Sequence, residues 1–286
     1  MLAVLTTLLL APDYRIAYSA RYYSKSGAKT YAQVYVADIT GKQRKAITRA
    51  RTDCGAVRWT DASTLAWVQE NGEKSELWVA PLGGKAKKLK TAGSIYAMQS
   101  VDRDQTGGAV YSIDNQSYTL NGSSLKVLPA MGKPEQQVLT FSGPEGAKLV
   151  IDRSKGNFDW TATFTKEGKS LVTQHSEDNV NFVRAYPQQP DGSVYVVTFS
   201  GNSTTGGAWM VDSVDWSTGK LITVASGTDL DFRLSRDLWA SVTPRDLSPL
   251  GKGEVWTSQA YVGSRKTGAK ASLGSGLVYF TSISLR

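Results

Sequence analysis

Apolar residues alternate with polar ones over short runs along this chain. Nowhere do they hold the three- and four-residue spacing of an amphipathic helix over three turns. Runs rich in β-branched and aromatic residues stand out at 15–19, 33–37, 64–68, 76–80, 193–198 and 277–281. Between them lie pairs that favour tight reversals: Thr40-Gly41, Asn71-Gly72, Gly83-Gly84, Asn121-Gly122, Asp191-Gly192 and Thr218-Gly219. Period-two patterning broken by such turns predicts an all-β protein.

The strands repeat. The stretch 34–42 lies over 77–85, with Tyr35 and Trp78 in corresponding places. Each stretch runs on into a basic segment, 44–48 and 87–91. A second element, Arg58-Trp59 followed by Leu65-Ala66-Trp67, returns at 163–172 and, degenerately, at 233–240. Further strand-and-turn units occupy 209–221 and 255–270; the stretch 129–157 fits the repeat poorly. Four strand segments within a period of about 40–45 residues are the mark of a β-propeller blade. The expected fold is therefore all-β, a propeller of six or seven four-stranded blades. The N- and C-terminal strands, near 14–21 and 276–284, would share one blade and close the ring. Residues 13–286 form one domain on this reading. A β-sandwich leaves the repeat offset unexplained.

The residues of the first two units carry a resemblance. Trp59, Asp61, Leu65-Ala66-Trp67, then Leu77-Trp78-Val79, Gly83-Gly84 and Leu89 resemble the repeat of TolB-like (PD40, WD40-like) propellers, over residues 15–91 most clearly. The α/β domain that precedes the propeller in TolB, and the hydrolase domain of prolyl-oligopeptidase-like proteins, find no counterpart in these residues. The resemblance thus implies a free-standing exported propeller without transferring the function of either parent.

Composition narrows the chemistry. One cysteine, Cys54, excludes an internal disulfide framework and thiolate-clustered metal sites. One histidine, His175, excludes His-pair metal sites and leaves a single base for Ser–His or Cys–His catalysis. It stands at a strand end before a polar loop. No Gly-x-Ser-x-Gly elbow occurs. Lys+Arg number 33 against 25 Asp+Glu, for a net charge of +8, which favours an acidic protein partner. The basic runs Lys42/Arg44/Lys45 and Lys85/Lys87/Lys88/Lys90 lead into the last strand of successive units. That position is an outer edge, which argues against nucleic acid as the partner. Residues 1–12 hold an apolar run too short to span a bilayer and suited to a secretory signal. The expected protein is a periplasmic or secreted monomer.

Candidate binding residues cluster ahead of the recurring aromatic. Asp53 precedes Trp59, Asp159 precedes Phe164, and Asp229 with Asp231 precede Leu234. In a propeller this point begins each blade's innermost strand, at the channel mouth. Arg58, Trp160 and Arg233 lie nearby in sequence. Trp59, Trp67, Trp78 and Trp239 read as strand interior, Trp160 and Trp216 as loop residues able to stack on a ligand. The leading expectation is a non-catalytic binding platform with no cofactor. The alternative is a carboxylate-based glycoside hydrolase or lyase using these aspartates, with calcium the cation such a cluster would take.

Overall fold

The computed structural model describes residues 13–23, 30–97, 108–128, 137–155, 159–175, 180–186, 188–189, 191–202, 206–227, 231–245, 257–274 and 276–286. The candidate leader at 1–12, Asp229 and Trp256 lie outside them.

The described residues form six four-stranded antiparallel sheets in chain order. The first contains β1 (Ile16–Tyr22), β2 (Gln33–Ala37) and β3 (Arg44–Ala46). The second runs β4 (Cys54–Trp59), β5 (Thr64–Asn71), β6 (Lys74–Pro81), β7 (Lys87–Ala92). The third runs β8 (Ile95–Ala97), β9 (Ala109–Ile113), β10 (Gln116–Asn121), β11 (Ser124–Val127). The fourth holds β12 (Val138–Ser142), a 3₁₀ turn at Pro144–Gly146, β13 (Lys148–Asp152), β14 (Thr161–Lys166) and β15 (Lys169–His175). The fifth is β16 (Val180–Ala185), β17 (Tyr195–Asn202), β18 (Gly206–Val214), β19 (Leu221–Gly227). The sixth is β20 (Asp231–Leu234), β21 (Leu238–Arg245), β22 (Thr257–Ser264), β23 (Lys270–Ser272). The last strand, β24 (Val278–Leu285), returns to the first sheet and pairs antiparallel with β1, so that sheet reads β24-β1-β2-β3.

Tyr35 and Trp78 both fall on the third strand of their sheets, each opposite an aromatic of the second, Tyr18 and Trp67. The repeat seen in the sequence is thus a structural register. The unit at 233–240 also falls where the pattern places it, on the first and second strands. The unit at 163–172 does not. It forms β14 and β15, the third and fourth strands of its sheet, and not the first and second. A hairpin with an aromatic on its first arm serves equally well in either half of a four-stranded sheet, so local pattern could not tell them apart.

Apolar side chains pack sheet against sheet, and the first, second, fifth and sixth sheets are packed on both faces. Five clusters join the sixth sheet to the first, the first to the second, the second to the third, the fourth to the fifth, and the fifth to the sixth. The innermost strands need a further device, because one edge of each lacks a strand partner. At β4 a bulge sets Ala56 at φ +50° and turns the backbone toward β24. There the Val57 and Trp59 N–H groups donate to Ser282 Oγ and Ser284 Oγ at 3.0 and 3.1 Å. Alternating serines on β24 thereby satisfy buried donors that a neighbouring strand would otherwise meet.

Arginines bolt one end of the assembly. The innermost strands begin at what we call the leading end and finish at the trailing end. At the trailing end Arg15 grips Asp237 of the sixth sheet with both Nη atoms, at 2.7 and 2.5 Å. Arg265, its side chain 1% exposed, spans from the sixth sheet to Asp191 of the fifth. Arg286 reaches the Ala62 carbonyl, pairs with Asp13 and covers the Trp59 ring. Bidentate guanidinium contacts of this kind fix orientation as well as distance.

Candidate functional site

Two of the sequence-selected aspartates begin innermost strands at the leading end. Asp53 precedes β4, where its carboxylate accepts from Arg21 Nη2 at 2.6 Å and from the Ala32 N–H at 2.7 Å. Asp231 opens β20 and pairs with Arg233 at 2.8 Å. Both therefore face guanidinium groups. Asp159 sits elsewhere: it is exposed and precedes β14, two strands out from the innermost β12 of its sheet. The misplacement follows from the shifted register of 163–172. Asp159 and Asp231 share an end of the fold, since the first and third strands of a sheet run parallel, but not a place at the innermost strands.

The basic and aromatic candidates are interior. Arg58 and Arg233 are each 3% exposed. Arg58 Nη1 donates to the Val57 and Ile283 carbonyls, at 2.8 and 3.2 Å, tying β4 to β24. Trp160 is a correction: it is no loop residue open to a ligand but is 3% exposed, packed with Phe141, Leu149 and Phe164. Trp216 is half-buried; its ring meets Phe164 and its Nε1 donates to the Gly192 carbonyl at 3.1 Å. Trp59, Trp67 and Trp239 are core, as patterned. Cys54 is buried at the start of β4, and burial pushes its thiol up to about 11. Among the described residues, no group of three His, Cys, Asp or Glu side chains is placed to hold a metal ion.

A different set of leading-end residues is open to solvent. Residues 32–33 are stitched to 50–54: Gln33 bonds the Ala50 N–H and the Ala50 and Thr52 carbonyls, while the Cys54 N–H donates to the Ala32 carbonyl. That stitching holds Tyr31, 49% exposed, at the same end of the fold as the exposed Arg49 and Arg51. Sequence reasoning missed them because none sits at a repeat position. The available signal was the stretch 39–52, which holds five cations and no acid.

A small void between the fourth and fifth sheets is lined by Leu149, Ala162, Phe164, Val172, Val196, Gly219 and Leu221. It is apolar and belongs to the core.

Consecutive four-stranded antiparallel sheets packed face to face, with no helix beyond one 3₁₀ turn among the described residues, define the β-propeller class. Within it the fold is TolB-like. TolB from Acinetobacter baumannii aligns with a TM-score of 0.55 over 95% of this chain and 66% of that one, at 15% identity. The AtxE2 isopeptidase aligns at 0.48, over 92% of this chain and 50% of that one, at 11% identity. A putative 6-phosphogluconolactonase from Bacteroides fragilis aligns at 0.42, over 94% and 99%, at 11% identity. The chain thus spans just under two thirds of TolB and half of the isopeptidase. No family model matches the chain, and no curated protein does. No helix of the described residues is long and apolar enough to cross a membrane.

Proposed function

We propose that the chain is an exported, non-catalytic binding platform: a six-bladed TolB-like propeller, closed by the pairing of β24 with β1, that engages an acidic protein at its leading end. The observation that carries this reading is the exposed group Tyr31, Arg49 and Arg51, set on a backbone stitched by Gln33 and Asp53. A rigid scaffold presenting aromatic and arginine side chains is the usual composition of a protein-binding centre. Arginine bolts hold the opposite end, and at the leading end Arg21 ties the first sheet to Asp53, which keeps the backbone beneath the exposed group rigid. The carboxylate-enzyme reading loses support, because Asp53 and Asp231 face arginines and Asp159 stands two strands away.

The test is capture by the immobilised chain from envelope and secreted fractions, at low and high salt. The expected result is one acidic partner that survives high salt and is lost with Arg49→Glu/Arg51→Glu. Equal capture by that double variant would place recognition elsewhere. Hydrolysis of a glycan by wild type, abolished by Asp159→Asn, would restore the enzymatic reading.

A further inference from the structure

Among the described residues each sheet ends in an outermost strand bonded on one side only: β3, β7, β11, β15, β19 and β23. An open edge offers its backbone N–H and C=O groups to any extended chain, and charged side chains there suppress such pairing. Five of the six edges are protected in this way. β3 carries Arg44 and Lys45, β7 three lysines, β11 Lys126, β15 Lys169 and β23 Lys270. β19, Leu-Ile-Thr-Val-Ala-Ser-Gly, carries no charge. It is seven residues long, with Ile222, Thr223 and Val224 in succession, and Ile222 is 54% exposed. A bulge at Val224 does not set it apart, since β7 and β15 are also joined through bulged pairs and keep their lysines.

We propose that β19 is a self-association edge: two copies of the chain pair β19 with β19 antiparallel across a two-fold axis, joining their fifth sheets into one eight-stranded sheet. Symmetry and charge select this occupant. A two-fold contact sets the same strand against itself, which at a sheet edge requires the antiparallel arrangement. The exposed Lys220 directly precedes β19, and antiparallel pairing carries the two copies of it to opposite ends of the ladder. Every cross-strand pair then joins uncharged residues, with Ile, Thr and Val supplying the side chains that stabilise such ladders. A strongly charged extended partner would find no counter-charge along the strand. One ladder buries well under the roughly 1,600 Å² of a standard interface, so the dimer is weak and concentration-dependent. This departs from the monomer expected from sequence, and it does not depend on the leading-end reading.

Sedimentation equilibrium of the full chain, from about 1 μM to several hundred μM, reads the association directly in the range expected of a small interface. Wild type is expected to show a monomer–dimer equilibrium that Ile222→Lys weakens at least about tenfold, with its thermal midpoint and far-UV spectrum unchanged. Ser226→Lys, an exposed position toward the other end of β19, supplies a second variant should the first disturb folding. Leu171→Lys, at an exposed apolar position on the already charged β15, is expected to leave association intact. A wild type that stays monomeric throughout overturns the proposal and leaves the edge for a strand of another protein. Equal loss in Ile222→Lys and Leu171→Lys overturns it too, since association would then reflect exposed apolar surface in general.

Discussion

Asp159 and Trp160 are adjacent in sequence and opposite in environment, which makes a sharp test of the core as described. Trp160→Ala removes an indole packed among Phe141, Leu149, Ile151 and Phe164 in the cluster that joins the fourth sheet to the fifth. At 3% exposure the ring is desolvated almost completely. An aromatic of this size buries about 150–250 Å², worth ~4–6 kcal/mol at 25 cal/mol per Å². Large-to-small substitutions of buried Trp measure about 3–5 kcal/mol, because the site relaxes only in part. For a domain of this size each kcal/mol moves the thermal midpoint by about 2 °C, so Trp160→Ala should melt roughly 6–10 °C below wild type. Asp159→Ala, at an exposed position, should stay within about 0.5 kcal/mol. Differential scanning calorimetry of both variants decides the matter. A Trp160→Ala protein melting within 1 °C of wild type, on the scale of about 2 °C per kcal/mol, would show the indole is not core.

Further outcomes follow from other contacts. Glu76 is buried on β6, where Lys88 at 2.9 Å, Asn71 and Trp78 hold its carboxyl below the usual range. A folded-state value below the unfolded one adds stability above the unfolded value that is lost as pH falls through the folded one. Glu76→Gln should therefore cost about 2 kcal/mol at pH 7, a deficit in melting temperature that shrinks as melts are repeated down to pH 3. The Cys54 thiol should ignore a thiol-specific disulfide reagent in the native protein and react fully in guanidinium; rapid native labelling would contradict its burial. Gly219 has φ +72°, and a Cβ there would land 2.5 Å from Phe164 Cδ1. Gly219→Ala should destabilise by about 1–3 kcal/mol in denaturant titration, through strain and overpacking together.

How much of this was legible beforehand depended on how far each signal reached. Tyr35 over Trp78 set the repeat correctly, because third strand, Gly turn and basic edge recur in one order in the first two sheets. The lysines of β3 and β7 could be read as edge residues on the same ground. The error at 163–172 came from a hairpin whose pattern is identical in either half of a sheet, and it moved Asp159 two strands from its assumed place. Trp160 was misjudged because the residues before it resemble a turn, while it is buried in a cluster that also draws on Val183 and Val196 of the next sheet. Contacts between sheets carry no local mark. Arg15 with Asp237, 222 positions apart, could not be paired from sequence.

The return of β24 to β1 also governs when this protein can fold. The innermost strand of the first sheet is made after every other described strand, so a nascent chain carries that sheet without its inner wall until residues 278–285 have left the ribosome. Until then Val57 and Trp59 lack the serines that satisfy them, and Arg58 lacks the Ile283 carbonyl. Later sheets can form as they emerge, but the contacts that join first sheet to last span nearly the whole sequence and pay the full entropy of that closure. Emergence of β24, and not the appearance of any earlier sheet, is therefore the event that lets the first sheet reach its native pairing.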